Sequence, residues 1–262
     1  MKNVLTVLVG GLLMIGCCVV PRAAEATVYT DDFNDTTMNT SLWSLYSDGV
    51  EGDTSLYENE GVLNLTSTGE DRNASKDYVS TWVFDPTHDI MISSQFHYDY
   101  MGIGDSALDM GMGTFDLYAG IKAGRYAVGD VETDYFKFRI SDTVDGDVLD
   151  LNFDRTIDSG YFGLYYNAAT DTLNFGVFDD AVLTPEHLVL GYTYNDFSTL
   201  DLDPMYAYLG GWSDRGAHLL EGDAYFDDFM AEGSSVVPEP ATMALVGLGL
   251  IGFMSKRKKI KQ

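Results

Sequence analysis

Two cysteines in 262 residues leave almost nothing from which to build disulfides or thiolate metal sites. Both, Cys17 and Cys18, sit in the apolar run Val4 to Val20 near the start of the chain. Cleaving that run as an export signal leaves a domain held together by packing alone. The four histidines, His88, His97, His187 and His218, show no paired metal spacing, which sets zinc chemistry aside. No Gly-x-Ser-x-Gly elbow and no phosphate-cradling loop is present. Helical apolar periodicity is scarce between Thr27 and Val236, and no linker rich in proline or serine divides that stretch. It reads as one domain, long enough to bury a full core. Basic residues are few as well. The whole chain carries a net charge of −26, and Thr27 to Val236 sets 8 Lys and Arg against 39 Asp and Glu, a net −31. Such a surface repels nucleic acid and anionic membranes, so no nucleic-acid partner is expected. It suits a salty or calcium-containing exterior, where screening or cation binding relieves self-repulsion.

What the stretch does contain is strand pattern. Tyr135-Phe136-Lys137-Phe138-Arg139-Ile140 puts Phe136, Phe138 and Ile140 on one face and both bases on the other, as a half-buried antiparallel strand requires. Tyr161 to Tyr166 and Leu173 to Phe178 form a hairpin across Asn167 to Thr172, whose Asn and Asp suit Asx-type turns. Further strands are expected at Val62 to Thr66, Val79 to Phe84, Ile92 to Tyr100, Phe115 to Ile121, Leu188 to Tyr194, Met205 to Leu209 and Ala224 to Met230. That many strands without helices imply an all-β, antiparallel sandwich.

Signals flank the domain at both ends. Lys2 precedes the apolar run, and small residues at Ala24 and Ala26 form an Ala-x-Ala site, so residues 1–26 read as a signal peptide removed by signal peptidase. A rival reading is Met14-Ile15-Gly16-Cys17, which is similar to a bacterial lipobox in which Cys17 is lipidated. At the other end Val237-Pro238-Glu239-Pro240-Ala241-Thr242 runs into apolar Met243 to Met254 and then Lys256-Arg257-Lys258-Lys259. About 14 apolar residues make a helix of roughly 20 Å, a minimal single transmembrane segment (241–254) against a hydrocarbon core near 30 Å. The basic end, 256–261, is held on the cytoplasmic side, which leaves the domain outside. These three parts, in this order over 236–262, resemble the PEP-CTERM sorting tail of Gram-negative bacteria. The resemblance implies that a membrane protease, exosortase, recognises the tail and cuts near Pro238, Glu239 and Pro240. The chain would then be anchored in the inner membrane only transiently, before delivery to the cell surface or extracellular matrix.

A second resemblance covers residues 27–235. Asp31-Asp32-Phe33-Asn34-Asp35 with Leu42-Trp43-Ser44 looks like the opening of concanavalin A-like and laminin G-like jelly rolls. Ala224-Tyr225-Phe226-Asp227-Asp228-Phe229 looks like their closing strand, and Tyr161 to Phe178 like their long central hairpin. The resemblance implies that the first and last strands pair, bringing Asp31 to Phe33 close to Asp227 to Phe229. It also implies that calcium, a hard cation seeking several oxygens, would sit at Asp31, Asp32, Asp227 and Asp228. A second acidic group is the turn-like Asp142-Thr-Val-Asp145-Gly-Asp147.

Domains of this shape bind glycans, cleave them, or serve as plain adhesive modules, so the fold does not choose among these roles. The Glu-x-Asp-x-x-Glu signature of glucanases with this architecture is missing. The nearest approaches are Glu51-Gly-Asp53 and Asp150-Leu-Asn152-Phe-Asp154, and a solvated strand face is the default for both. Trp43 and Trp82 lie in apolar contexts and are expected in the core. Trp212 sits in Gly210-Gly211-Trp212-Ser213-Asp214-Arg215-Gly216, read as a loop, so Trp212, Asp214 and Arg215 are the glycan-binding candidates. Tyr192 and Tyr194 are a weaker pair. The expectation is a non-enzymatic, exported module that meets extracellular polysaccharide by binding it or by building structure. A glycan hydrolase and a ligand-free matrix protein are the alternatives.

Overall fold

The computed structural model describes residues 26–49, 53–69, 73–114, 116–128, 131–142, 146–200, 202 and 205–234. The signal peptide short of Ala26, the sorting tail, Glu51, Phe115 and Asp145 lie outside them. None of the described residues forms a helix long and apolar enough to cross a membrane.

Two antiparallel sheets face each other. In chain order the strands are β1 (Thr27–Asp31), β2 (Trp43–Gly49), β3 (Thr54–Asn59), β4 (Val62–Ser67), β5 (Ala74–Ser80), β6 (Ile90–Tyr98), β7 (Asp105–Gly113) and β8 (Leu117–Val128). They continue with β9 (Val131–Asp142), β10 (Gly146–Asp154), β11 (Ser159–Asn167), β12 (Thr172–Phe178), β13 (Leu188–Asn195), β14 (Tyr206–Asp214) and β15 (Ala224–Gly233). The back sheet runs β13-β12-β11-β6-β15-β4-β3, with β1 paired to β15; the front sheet runs β10-β9-β8-β7-β14-β5-β2. This is the antiparallel sandwich that the strand pattern implied, in the jelly-roll form that the resemblance implied. First and last strands do pair, and Asp31 stands opposite Phe229.

Alternation builds the core. Phe136, Phe138 and Ile140 of β9 are at most 1% exposed. Phe138 stacks on Phe175 of the back sheet at 5.4 Å, and Phe136 meets Phe96 edge-on at 5.8 Å, so aromatic pairs bind one layer to the other. The expected core tryptophans, Trp43 and Trp82, are 1% and 4% exposed. In the hairpin turn between β11 and β12, the Thr170 N–H donates to Asn167 Oδ1 at 3.0 Å, an Asx-type bond.

Some boundaries differ from the sequence pattern. The strand expected at Val79 to Phe84 starts earlier and ends at Ser80, whose hydroxyl turns to the Trp82 carbonyl at 2.7 Å. Phe84 keeps only an isolated bridge to Met205. The segment Gly210 to Asp214 is not a loop but the second half of β14, a central strand flanked by β7 and β5. Two glycines and a tryptophan beside charged residues resemble turn chemistry locally, yet hydrogen bonding from both neighbouring strands decides the conformation.

Candidate functional site

The outer face of the front sheet carries a groove of about 500 Å³. Its construction follows from register. Tyr46 of β2 pairs with Asp77 of β5, Asp77 with Gly210 of β14, and Gly210 with Asp109 of β7. Asp109 in turn pairs with Lys122 of β8, Lys122 with Lys137 of β9, and Lys137 with Asn152 of β10. Cross-strand partners share a face, so this single row crosses all seven strands on the side opposite the core residues Leu209, Leu108 and Ile121. The parallel row one step along contains Tyr208, Gly111, Gly120 and Arg139.

Glycines make the floor. A methyl group at Gly120 would collide with the Tyr118 hydroxyl, and one at Gly210 with the Asp77 carboxylate. Strand glycines of this kind mark close approach over the sheet. Tyr118 and Tyr208 meet edge-on at 6.3 Å, and Trp212 stands half-buried on the same face. Tyr208 donates to the Thr114 carbonyl at 2.8 Å, and burial pushes its phenol well above the ordinary range, so it remains neutral. On the floor Lys122 and Asp109 form a largely buried ion pair, with the ammonium 5.4 Å from the Tyr118 ring centre. The second oxygen of that carboxylate, Asp109 Oδ1, is buried and lacks a hydrogen-bond partner among the described residues. Aromatic faces beside polar groups with spare hydrogen-bonding capacity are the chemistry that holds sugar rings.

Of the glycan candidates, only Trp212 lines the groove. It does so from a strand. Arg215 pairs with Asp105 Oδ2 at 3.3 Å at the end of β14, and Asp214 accepts the Arg215 N–H at 2.8 Å, so neither belongs to the lining. Tyr192 and Tyr194 pack against the core, near Phe175 and Phe197. Asp150 and Asp154 share the outer face with Asn152 on the edge strand β10, and Asp150 is bound by Lys137 at 3.1 Å and by Asn152 at 3.1 Å. Asp147 is held by Arg139 at 2.7 Å. Asp77, Asp109 and Lys122 were not among the candidates. Their signal is glycine at outward-facing positions of three neighbouring strands: Gly111 and Gly113 in β7, Gly120 and Gly124 in β8, and Gly210 in β14.

The acidic group at the strand ends is only partly assembled. Asp32 and Asp228 open on one cavity of about 590 Å³ with Asn34 and Asp35. Asp31 lines the same cavity but is buried. Its Oδ1 accepts the Phe33 N–H at 3.0 Å and its Oδ2 the Trp43 indole at 2.8 Å, which commits both oxygens within the fold. Asp227 accepts the Asp228 N–H at 2.7 Å. Among the described residues no three carboxylate, imidazole or thiolate groups converge closely enough to hold a metal ion.

Residues 236–258 match the family model described as the PEP-CTERM protein-sorting motif. The chain carries this sorting motif. No curated protein matches the chain in sequence. Among solved structures, peanut lectin is 12% identical, covers 82% of this chain and 100% of its own, and superposes with a TM-score of 0.54. The CBM2 module of the evolved Dit protein from Lactobacillus casei BL23 phage J-1 is 11% identical, covering 81% and 97%, with a TM-score of 0.54. A candidate β-glucanase of Mycobacterium abscessus is 12% identical, covering 78% and 98%, with a TM-score of 0.52. At these identities the likeness shows the lectin-like, concanavalin A-like fold and nothing of the ligand.

Proposed function

We propose that this chain is an exported carbohydrate-binding module of the extracellular matrix, with the glycine-floored groove of the front sheet as its glycan site. The observation that carries this reading is the groove itself: Trp212, Tyr118 and Tyr208 supply ring faces, and Asp77, Asp109 and Lys122 supply polar groups along one sheet row. Seven strands at about 4.8 Å give that row a span of roughly 30 Å, enough for an extended polymer. The likeness in fold to a lectin and to a CBM2 module supports the reading. Residues 1–26 act as signal peptide, 27–235 as the binding domain and 236–262 as the sorting tail. Exosortase processing releases the module from the inner membrane to the cell surface. Retention of the protein on immobilised polysaccharide tests the proposal, and failure across neutral and acidic polymers removes it.

Hydrolysis is the second reading, and one observation favours it. Asp77 and Asp109 flank Gly210 on one face of the sheet, and a pair of carboxylates on one face is what glycoside hydrolysis requires. Binding without cleavage is nevertheless proposed, because Lys122 already engages one oxygen of the Asp109 carboxylate and the Glu-x-Asp-x-x-Glu signature is missing. Release of reducing sugar that disappears in Asp77→Asn or Asp109→Asn reverses this choice.

Calcium is proposed at Asp32 and Asp228 rather than at all four aspartates, with the Asn34 side chain, carbonyls and water completing an oxygen shell.

A further inference from the structure

Resting on the glycan-groove reading, we infer that the groove selects uncharged polysaccharide and rejects polyuronate, and that Asp109 determines the choice. The floor is short of donors. Asp109 Oδ2 is taken by Lys122, while Oδ1 is buried with no partner among the described residues. A buried carboxylate oxygen left without a donor is costly, so a ligand that parts the floor over Asp109 gains by supplying one. A sugar hydroxyl does this; a uronate carboxylate at neutral pH accepts only and adds like charge beside a second carboxylate, Asp77, across Gly210.

The cations on this face do not offset that. Lys122 is bound to Asp109, Lys137 to Asp150 at 3.1 Å and Arg139 to Asp147 at 2.7 Å, so each is already matched by an aspartate of its own. A polyuronate would have to break one of these pairs to gain a counter-charge. It would also approach a domain of net charge −31 over Thr27 to Val236, whose field slows encounter with a polyanion at low salt. Field and floor are separable, because salt screens the first within about 10 Å at 0.1 M and leaves the buried second largely intact.

The test uses the full chain in mild detergent, with neutral β-glucan, mannan and galactan set against polygalacturonate, each at low and at high salt. One or more neutral polymers should bind and polygalacturonate should not, even where salt screens the overall charge. Asp109→Asn, which keeps shape but provides a donor in place of an acceptor, should weaken neutral binding by about tenfold, since the hydrogen bond to a charged acceptor is lost. Its melting temperature, measured alongside, separates lost recognition from lost folding, and Asp154→Asn, on the edge strand away from the lining, should leave neutral binding and the selection unchanged. Polygalacturonate binding as tightly as the neutral polymers, or unchanged neutral affinity in a folded Asp109→Asn protein, overturns this inference while leaving the groove reading in place. Binding of none of the polymers removes the groove reading and the inference with it.

Discussion

The indole Nε1–H of Trp43 donates to Asp31 Oδ2 at 2.8 Å, joining β2 in the front sheet to β1 in the back sheet through a bond with both partners buried. The other oxygen of the same carboxylate caps the Phe33 N–H, so one aspartate fixes the layer contact and the turn that follows it. Trp43→Phe leaves Oδ2 buried without this donor and should lower stability by about 1.5–3 kcal/mol. The urea midpoint reads the effect, and an unchanged midpoint would mean that water replaces the indole at no cost.

Glu58 should make stability depend on pH. Its side chain is 4% exposed, and burial, reinforced by the hydrogen-bonding Asp35 carboxylate and by the charge of Asp31, pushes it up to about 8. The folded state therefore holds the proton more tightly than the unfolded chain. The associated stability is fully present below the unfolded value near 4.5 and is lost as pH rises through about 8. Glu58→Gln should flatten this dependence and raise stability at pH 7 by roughly 1–3 kcal/mol. Melting curves across that window check it; a wild-type slope that survives the substitution assigns the effect to other groups.

Trp212→Ala should weaken retention on bound polysaccharide by about tenfold, on the order of 1.4 kcal/mol, through loss of a ring face from the groove. Asp150→Ala and Asp154→Ala should leave retention intact, because both lie on the edge strand away from the lining. Affinity electrophoresis distinguishes these outcomes. Equal losses from all three would place the contact on β10 instead.

Calcium should raise the melting temperature more than magnesium at matched ionic strength, since magnesium demands a stricter octahedron. Burial, with the charges of Asp228 and Asp32, holds Asp227 above its ordinary range, so negative charge is crowded there. A site at Asp32 and Asp228 contributes roughly 2.7 kcal/mol when the ion is at about 100-fold its Kd, and Asp228→Asn should abolish the difference. Equal rises with both ions would indicate screening alone.

Protein recovered from the surface of its native host should end near Ala241. Mass spectrometry of the C-terminal peptide decides the matter, and a surface form that still carries Lys256 to Lys261 would contradict processing at Pro238, Glu239 and Pro240.

The sequence by itself determined the layers and the sorting tail. Apolar alternation in Tyr135 to Ile140 and in the Tyr161 to Phe178 hairpin is a local property, because successive side chains must point to opposite faces whatever the strand pairs with. The match to the sorting motif at 236–258 is likewise contiguous in sequence. The groove is different. Asp77, Gly210 and Asp109 are distant in sequence and meet only because β14 takes its place between β5 and β7. Trp212 lines the groove from a strand where the sequence pattern suggested a loop, since a glycine pair beside charges reads as a turn until two neighbouring strands claim its backbone. Asp31 looked like one more acidic ligand for the same reason: only the packing of Trp43 against it shows that its oxygens are already used. Local pattern fixes which side of a strand a residue occupies, and register, a long-range property, decides its company.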